Sequence, residues 1–256
     1  MPTIEMPFAE DSRGNFYFID SKNLYKLDSL GKVLIAHPLQ EQAGAIFTSR
    51  DGFVYLVTFP YMKTPNVRKY DASLNQVDST YIPDISSSSS MNNFYISQEG
   101  WLYIFELKTR NILKTYDASF TLLRTDSLSL RHTRHMQVLD DTLLLLQQYW
   151  LRLESDNLIT RYDRDMNRLS SPDLIPKIQS LFQGSQLAVE SCLKTRDGQY
   201  IVSVRDKFNG DYIIILDKDM DLTGIKKTSM GIQLYLNDHG DIRYYNRLTG
   251  IVKLEL

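Results

Sequence analysis

Four polar residues in this chain have the chemistry of a divalent-cation site. They are Glu190, His135 and the neighbouring amides Asn92 and Asn93. Carboxylate and amide oxygens suit a hard cation such as Ca²⁺, which takes six to eight oxygen ligands. The set contains a single carboxylate and lacks a second acid, so a metal centre is the weaker of two interpretations.

Large aromatic and cationic side chains form a second group, outside the most regular hydrophobic stretches. Aromatic residues and arginine are enriched where proteins bind their partners. The group therefore predicts a ligand-binding surface, although each ring could instead serve only to anchor its own loop. Its members are Tyr61, Lys63, Arg131, His132, Arg134, Tyr149, Trp150, Arg152 and Phe208.

The segment LRHTRHM places His132 and His135 three residues apart, next to Arg131 and Arg134. It bridges two predicted strands and has no helical pattern, so the spacing does not indicate a pair of ligands on one helix face. The two arginines could hold an anionic group through charge-assisted hydrogen bonds. Plain solvated polarity of a loop is the alternative.

Catalysis by a side-chain nucleophile finds little support. Cys192 is the only cysteine, which excludes an intrachain disulfide and a cysteine-rich metal site. Its position inside the predicted strand SCLKT indicates a buried, inert thiol. The sequence contains no GxSxG elbow, no Walker-type glycine loop and no HEXXH, so we assign no catalytic residue.

A repeated unit of strands must position these residues. A hydrophobic strand, a polar turn, an aromatic-rich strand and a strand closing on Tyr-Asp recur, as in SRDGFVYLV with VRKYDASLNQV and SQEGWLYIF with LKTYDASFTLL. Self-similarity at about 40 residues per unit is typical of four-stranded propeller blades. The first turn of each of six units falls at Gly14, Gly52, Gly100, Asp141, Gly198 and Gly240.

The sequence thus predicts an all-β fold: one six-bladed β-propeller domain over residues 1–256, with four-stranded antiparallel blades. After Gly240 the chain has room for only two more strands. The last blade is therefore either incomplete or closed by the N-terminal stretch TIEMPFAED, which could instead be the first strand of the first blade.

An aspartate marks the second turn of most units. We name the strands of a blade a to d, from the central channel outward, so this is the c-d turn. The carboxylate is predicted to accept a hydrogen bond from the backbone N–H two residues on. The tyrosine or leucine before it is predicted to pack between blades. The positions are Asp28, Asp71, Asp117, Asp163 and Asp217.

The two faces of the predicted propeller differ in the length of their connections. The a-b and c-d turns lie on one face, and the b-c and d-a connections lie on the other. All the long segments are of the second kind, and such loops commonly carry binding function. They cover residues 58–65, 83–91, 128–134, 147–157, 170–187 and 205–211.

The stretch DSRGNFYF at residues 11–18 and the stretch LYKLD at 24–28, with their later copies, resemble the bacterial six-bladed β-propellers related to the NHL-repeat family. The resemblance spans nearly the whole chain. It implies an extracytoplasmic binding protein more often than an enzyme. Gluconolactonase-like propellers place acidic and asparagine metal ligands at the mouth of the channel, which is where Glu190 and Asn92 or Asn93 are expected.

Composition excludes several classes. With 29 Lys plus Arg against 31 Asp plus Glu, the formal charge of -2 does not favour nucleic-acid binding. No run approaches the ~18 apolar residues of a membrane span. A predicted strand begins within a few residues of Met1, which predicts a cytoplasmic protein unless a leader has been removed. We expect a monomer.

Two functions remain open, besides a purely structural ring that is one domain of a larger assembly. The first is a non-enzymatic interaction module without a cofactor, which binds a protein, peptide or glycan on the loop-rich face. The alternative is a divalent-metal-dependent hydrolase or lactonase at the channel mouth, with Ca²⁺ or another divalent cation held by Glu190, Asn92 or Asn93, and His135.

Overall fold

The computed structural model describes residues 8–20, 22–58, 66–82, 94–106, 111–128, 133–139, 142–149, 159–170, 187–195, 197–206, 210–228, 233–236, 242–246 and 250–253. Every regular element within these residues is a β-strand. Pairing of neighbouring strands is antiparallel throughout. The chain forms two compact units, Met1–Leu128 and Ser129–Leu256.

The first unit consists of three four-stranded sheets, which we call blades 1, 2 and 3. Blade 1 contains β1 (Phe8–Glu10), β2 (Phe16–Ile19), β3 (Asn23–Leu27) and β4 (Val33–Pro38). Blade 2 contains β5 (Ala43–Thr48), β6 (Val54–Thr58), β7 (Asn66–Tyr70) and β8 (Gln76–Tyr81). Blade 3 contains β9 (Phe94–Ile96), β10 (Leu102–Glu106), β11 (Asn111–Tyr116) and β12 (Leu122–Leu128).

The second unit contains an eight-stranded and a three-stranded sheet. The large sheet holds β13 (Thr133–Leu139), β14 (Thr142–Tyr149), β15 (Ile159–Tyr162), β16 (Arg168–Leu169), β17 (Leu187–Lys194), β18 (Tyr200–Asp206), β19 (Gly210–Leu216) and β20 (Leu222–Thr228). We call β17 to β20 the β17–β20 blade. The small sheet is β21 (Gln233–Leu236), β22 (Ile242–Asn246) and β23 (Gly250–Lys253).

The prediction of an all-β fold with four-stranded antiparallel blades is confirmed. The N-terminal stretch is the first strand of blade 1, because Ala9 pairs with Tyr17 in β2. Among the described residues, the β21–β23 sheet has three strands. No helix in the described part of the chain is long and apolar enough to cross a membrane.

The four described a-b turns share one geometry. In blade 2, Gly52 donates its N–H to the Ser49 carbonyl, and the Ser49 N–H donates to the Phe53 carbonyl. Gly52 has a φ of 85°, which L-residues adopt at a cost, so the turn is a three-residue hairpin loop closed by glycine. The same pattern spans residues 11–15, 97–101 and 195–199. The turn glycines predicted from sequence are confirmed at these four positions, while Asp141 and Gly240 lie outside the described residues.

The five c-d turns repeat this geometry around the predicted aspartates. The Asp71 carboxylate accepts hydrogen bonds from the backbone N–H groups of Ser73 at 2.8 Å and Asn75 at 2.9 Å. The predicted turn role of these aspartates is confirmed. Most of these turns place a large apolar residue, in place of glycine, at positive φ. The residues with positive φ in the five turns are Gly31, Leu74, Phe120, Met166 and Met220.

Burial explains why apolar residues occupy that strained position. A left-handed conformation costs an L-residue about 1–2 kcal/mol, and a buried leucine side chain contributes more than that. Leu74 is 2% exposed and packs in a cluster with Tyr17 and Leu24 of blade 1. Phe120 lies edge-on to Tyr55 of blade 2, with ring centroids 6.2 Å apart. The turns at Leu74 and Phe120 therefore each insert a side chain into the layer between two neighbouring blades.

Aromatic residues of the second and third strands fill the same layers. Tyr17, Tyr55 and Tyr70 are at most 1% exposed, and Tyr116 is 8% exposed. Tyr70 and Tyr116 precede the turn aspartates, which confirms the predicted packing of this position. In the second unit, Leu216 takes the same place in a cluster with residues of β15, β17 and β18.

Candidate functional site

Each complete blade has two distinct ends. At one end, the turn end, the short hairpin loops described above join a to b and c to d. At the other end, the loop end, lie the b-c and d-a connections, which include most of the long segments predicted from sequence. The long segment predicted over residues 205–211 is wrong, because β18 runs to Asp206 and β19 begins at Gly210, which leaves a connection of only residues 207–209. Nine of the predicted site residues lie outside the described residues. They are Tyr61, Lys63, Asn92, Asn93, Arg131, His132, Trp150, Arg152 and Phe208.

Backbone pairing brings three predicted residues to the loop end of the large sheet. Arg134 and His135 lie at the start of β13, where Arg134 is the extra residue of a β-bulge. Tyr149 ends β14 and pairs with Leu187, the first residue of β17. Because β14 thus pairs with strands on both sides, the ends of β13, β14 and β17 converge.

Glu190 is the extra residue of a second β-bulge, in β17. A bulge reorients one side chain and often occurs beside functional sites. The Glu190 Oε1 atom lies 3.6 Å from Nη1 of Arg205, and Nε of Arg205 donates to Oδ1 of Asp211 at 3.2 Å. The two carboxylate side chains are 12% exposed, whereas Arg205 is 39% exposed. We call these three residues the β17–β20 charge cluster.

The position of Arg205 bears on the predicted metal centre. Its guanidinium already supplies a positive charge beside Glu190, and a divalent cation at the same carboxylate would be repelled by it. Within the described part of the chain, no group of three or more His, Cys, Asp or Glu side chains is arranged to hold a metal ion. The amides of Asn92 and Asn93 lie outside that part.

A second charge cluster lies at the loop end of blade 2. Nη2 of Arg68 donates to Oε2 of Glu41 at 2.8 Å, and the Thr58 hydroxyl donates to the same oxygen at 3.1 Å. The Arg68 and Glu41 side chains are 18% and 26% exposed. A short hydrogen bond between two charged groups is stronger than a neutral one. We call Glu41, Thr58, Asn66 and Arg68 the blade 2 polar cluster.

The blade 2 polar cluster contains two buried atoms that lack partners. Asn66 is 4% exposed, and its Oδ1 atom accepts no hydrogen bond from any described residue. Nε of Arg68 is likewise buried without an acceptor in the described part of the chain. Burial is the main cause that raises the pKa of Tyr70, while the charge of Arg68 and a side-chain hydrogen bond with Arg68 lower it and the charge of Glu41 raises it.

Cys192 is buried, as predicted. Burial raises the pKa of its thiol to about 12, although the nearby Arg161 acts in the opposite direction. A thiol with such a pKa is almost entirely protonated at neutral pH and is a poor nucleophile. The predicted burial of this thiol is confirmed, and its inertness stays a prediction.

Sequence reasoning missed Glu41, Arg68, Arg205 and Asp211 as parts of the two clusters. The signal was present in the second case, since RDKFNGD at residues 205–211 carries alternating charges across one short connection. Glu41 and Arg68 are separated by 27 positions, and only the pairing of β5, β6 and β7 brings them together.

No family model matches the chain, and no curated protein matches it in sequence. Solved structures do share its fold. Luciferin-regenerating enzyme is 12% identical with a TM-score of 0.62, over 94% of this chain and 83% of that one. A protein of unknown function from Bacteroides caccae is 12% identical with a TM-score of 0.60, over 87% and 81%.

PorZ, a surface component of the type-IX secretion system of Porphyromonas gingivalis, is 14% identical with a TM-score of 0.58. The match covers 96% of this chain and 38% of PorZ. The fold is that of a β-propeller. At these identities the likeness shows the fold alone, because one fold hosts many functions.

Proposed function

We propose that this protein is a non-enzymatic interaction module, which binds a protein, peptide or glycan at the loop ends of its blades. One observation carries the proposal: nine turns of one short geometry occupy the turn ends, while the longer connections are gathered at the loop ends. Scaffolded folds place binding residues on irregular loops held by a rigid frame.

The composition of the loop ends supports the same function. Both charge clusters lie there, and so do the backbone positions of Arg134 and Tyr149. Tyr61, Trp150 and Arg152 belong to the connections that leave these ends. Aromatic anchors surrounded by polar and charged groups are the usual composition of an interface.

We further propose that the propeller has six blades, that it forms a single domain and that it is related to NHL-repeat proteins. The repeat of six units in the sequence supports the blade number, with β21 to β23 as strands of the sixth blade. The blade motif at residues 11–18 supports the relation to that family. A propeller of this kind with no assigned catalytic residue serves as a rigid support for a binding surface.

Binding screens with matched variants test this function. A glycan array and a display library of random 12-residue peptides are screened with the wild-type protein, and affinities for the ligands found are measured by biolayer interferometry. Tyr61→Ala and Trp150→Ala are expected to weaken binding. Arg13→Ala and Lys218→Ala, which change exposed residues in turns, serve as controls and should leave binding unchanged. The reverse pattern contradicts the proposal.

The metal-dependent hydrolase is a second candidate, supported by the fold shared with luciferin-regenerating enzyme and by the bulge at Glu190. Thermal unfolding with EDTA and then with added Ca²⁺, Mg²⁺, Mn²⁺ or Zn²⁺ tests it, because a ligand bound only by the native state raises the midpoint. A cation-specific shift that is lost in Glu190→Gln favours the hydrolase. The absence of any shift rejects the metal centre.

A further inference from the structure

Asn66 and Arg68 stand two residues apart on β7 and therefore share one face of the blade. Each carries a buried polar atom without a hydrogen-bond partner in the described part of the chain: the acceptor Oδ1 of Asn66 and the donor Nε of Arg68. Both residues belong to the blade 2 polar cluster at the loop end, and Thr58 lies directly opposite Asn66 on β6.

The unpaired donor of Arg68 and the unpaired acceptor of Asn66 lie on the same face of one strand, and both require an explanation. More than nine in ten buried polar groups in native proteins have a partner, since leaving one unpaired forfeits the hydrogen bonds it made with water. The other members of the cluster follow that rule, because Glu41 accepts hydrogen bonds from both Thr58 and Arg68. The two unpaired atoms therefore offer one donor and one acceptor to a further group.

A group that pairs with both atoms must accept one hydrogen bond from Nε of Arg68 and donate another to Oδ1 of Asn66. It must also be uncharged, because Glu41 already neutralises Arg68 at 2.8 Å. A peptide unit meets both conditions, with a C=O that accepts and an N–H that donates. Its approach would follow the side chains of Glu41 and Arg68, which remain 26% and 18% exposed at the loop end.

We propose that the loop end of blade 2 binds the main chain of a peptide. Nε of Arg68 donates to a peptide carbonyl, and Oδ1 of Asn66 accepts from a peptide N–H. This inference rests on the proposed interaction function and narrows its ligand from protein, peptide or glycan to an extended peptide. Side chains of the ligand then contact the neighbouring connections.

Replacing Asn66 separates this role from a structural one. In Asn66→Leu the unpaired acceptor disappears while the side-chain size is nearly kept, so the midpoint of thermal unfolding should stay the same or rise. Affinity for the peptide should fall about tenfold or more. A matched control is Thr115→Val, which also removes a buried unpaired polar atom, the Thr115 hydroxyl on β11 next to the turn end of blade 3. This variant should leave binding unchanged.

The probe is the tightest peptide selected from the random 12-residue library, made again as a series in which one amide at a time is replaced by an ester. We expect one ester to weaken binding to the wild-type protein by about tenfold and to have no effect on Asn66→Leu. The wild-type half of this series does not depend on the fold of Asn66→Leu: if no single ester weakens binding to the wild-type protein, the inference fails whether or not the variant is stable.

Three results would overturn the inference. They are a lower unfolding midpoint of Asn66→Leu with unchanged peptide affinity, ester effects that are equal in both proteins, and screens in which the glycan array yields ligands but the peptide library yields none. If a selected peptide loses affinity in Trp150→Ala but not in Asn66→Leu, the interaction function stands and the peptide site at blade 2 fails.

Discussion

The hydroxyl oxygen of Tyr55 in blade 2 would lie 2.6 Å from a Cβ atom placed on Gly100 in blade 3. Real Cβ atoms do not approach other heavy atoms so closely, so the absence of a side chain at Gly100 permits the contact. Tyr55 is fully buried, and it also faces Phe120 of the c-d turn in blade 3. Both turns at the same end of blade 3 are therefore fitted around one tyrosine of blade 2.

Gly100→Ala is expected to lower the free energy of unfolding by more than the usual cost of an L-residue at positive φ, which is about 1–3 kcal/mol. The added methyl group meets Tyr55 as well. Gly52→Ala is the matched control, because Gly52 has a similar φ of 85° but no atom within 4 Å of its added Cβ. Equilibrium unfolding in urea compares the two, and equal losses would show that the contact with Tyr55 has no energetic role.

Leu74→Gly is expected to destabilise the protein although it relieves a positive φ of 61°. The variant regains about 1–2 kcal/mol of backbone strain and loses the burial and packing of a leucine, about 2–5 kcal/mol. Met166→Gly should be neutral or stabilising, since Met166 has a φ of 64° and is only half-buried. Urea unfolding of both variants checks this contrast, and a stabilised Leu74→Gly would contradict the account of the c-d turns.

Stability should fall as the pH rises from about 10 to 12. Burial raises the pKa of Tyr55 from its usual value of 10.0 to about 12, so in this range the unfolded chain loses a proton that the folded protein keeps. Linkage then makes the unfolded state more favourable with increasing pH. Urea unfolding midpoints of the wild type and Tyr55→Phe test this. The variant is expected to show the shallower decline, and parallel curves would contradict the assignment.

Cys192 should resist alkylation in the folded protein. Its thiol is fully buried, and burial raises its pKa to about 12. At pH 8 a reagent therefore cannot reach the sulfur, and almost no thiolate is present. Labelling with iodoacetamide, followed by mass spectrometry, is expected to appear only as urea unfolds the chain. Rapid labelling of the native protein at a single site would show that the β17–β20 blade opens locally.

The geometry of the blades could be predicted from the sequence because it depends on residues that are close together in the chain. A turn aspartate and a residue with positive φ are separated by three positions, as in Asp71 and Leu74, and repetition makes them visible. The sequence allows the N-terminal stretch either to close the last blade or to be the first strand of blade 1. Only the register of Ala9 against Tyr17 decides between these two roles. The exposed Leu34, Val77 and Leu123 each occupy a β-bulge of an outer strand, a feature without a sequence signal here.

The candidate site was less visible because its contacts are not local. Glu190 was predicted from its place at the start of an inner strand, and its carboxylate does lie at a loop end. Its neighbour Arg205 was not predicted, and that guanidinium alters the chemistry expected of Glu190. The unpaired atoms of Asn66 and Arg68 have no counterpart in composition or spacing, since hydrogen-bond satisfaction depends on the whole surrounding structure.

Amide hydrogen exchange with and without a bound ligand tests the central claim most directly, which is that the loop ends form the binding surface. The tightest ligand from the peptide and glycan screens is used at saturation. The account predicts slower exchange at residues 56–58, 66–68, 187–190 and 204–206, with no change in the turns at 28–32, 71–75, 117–121 and 217–221. Protection confined to those turns, with unchanged exchange at the loop ends, would contradict it.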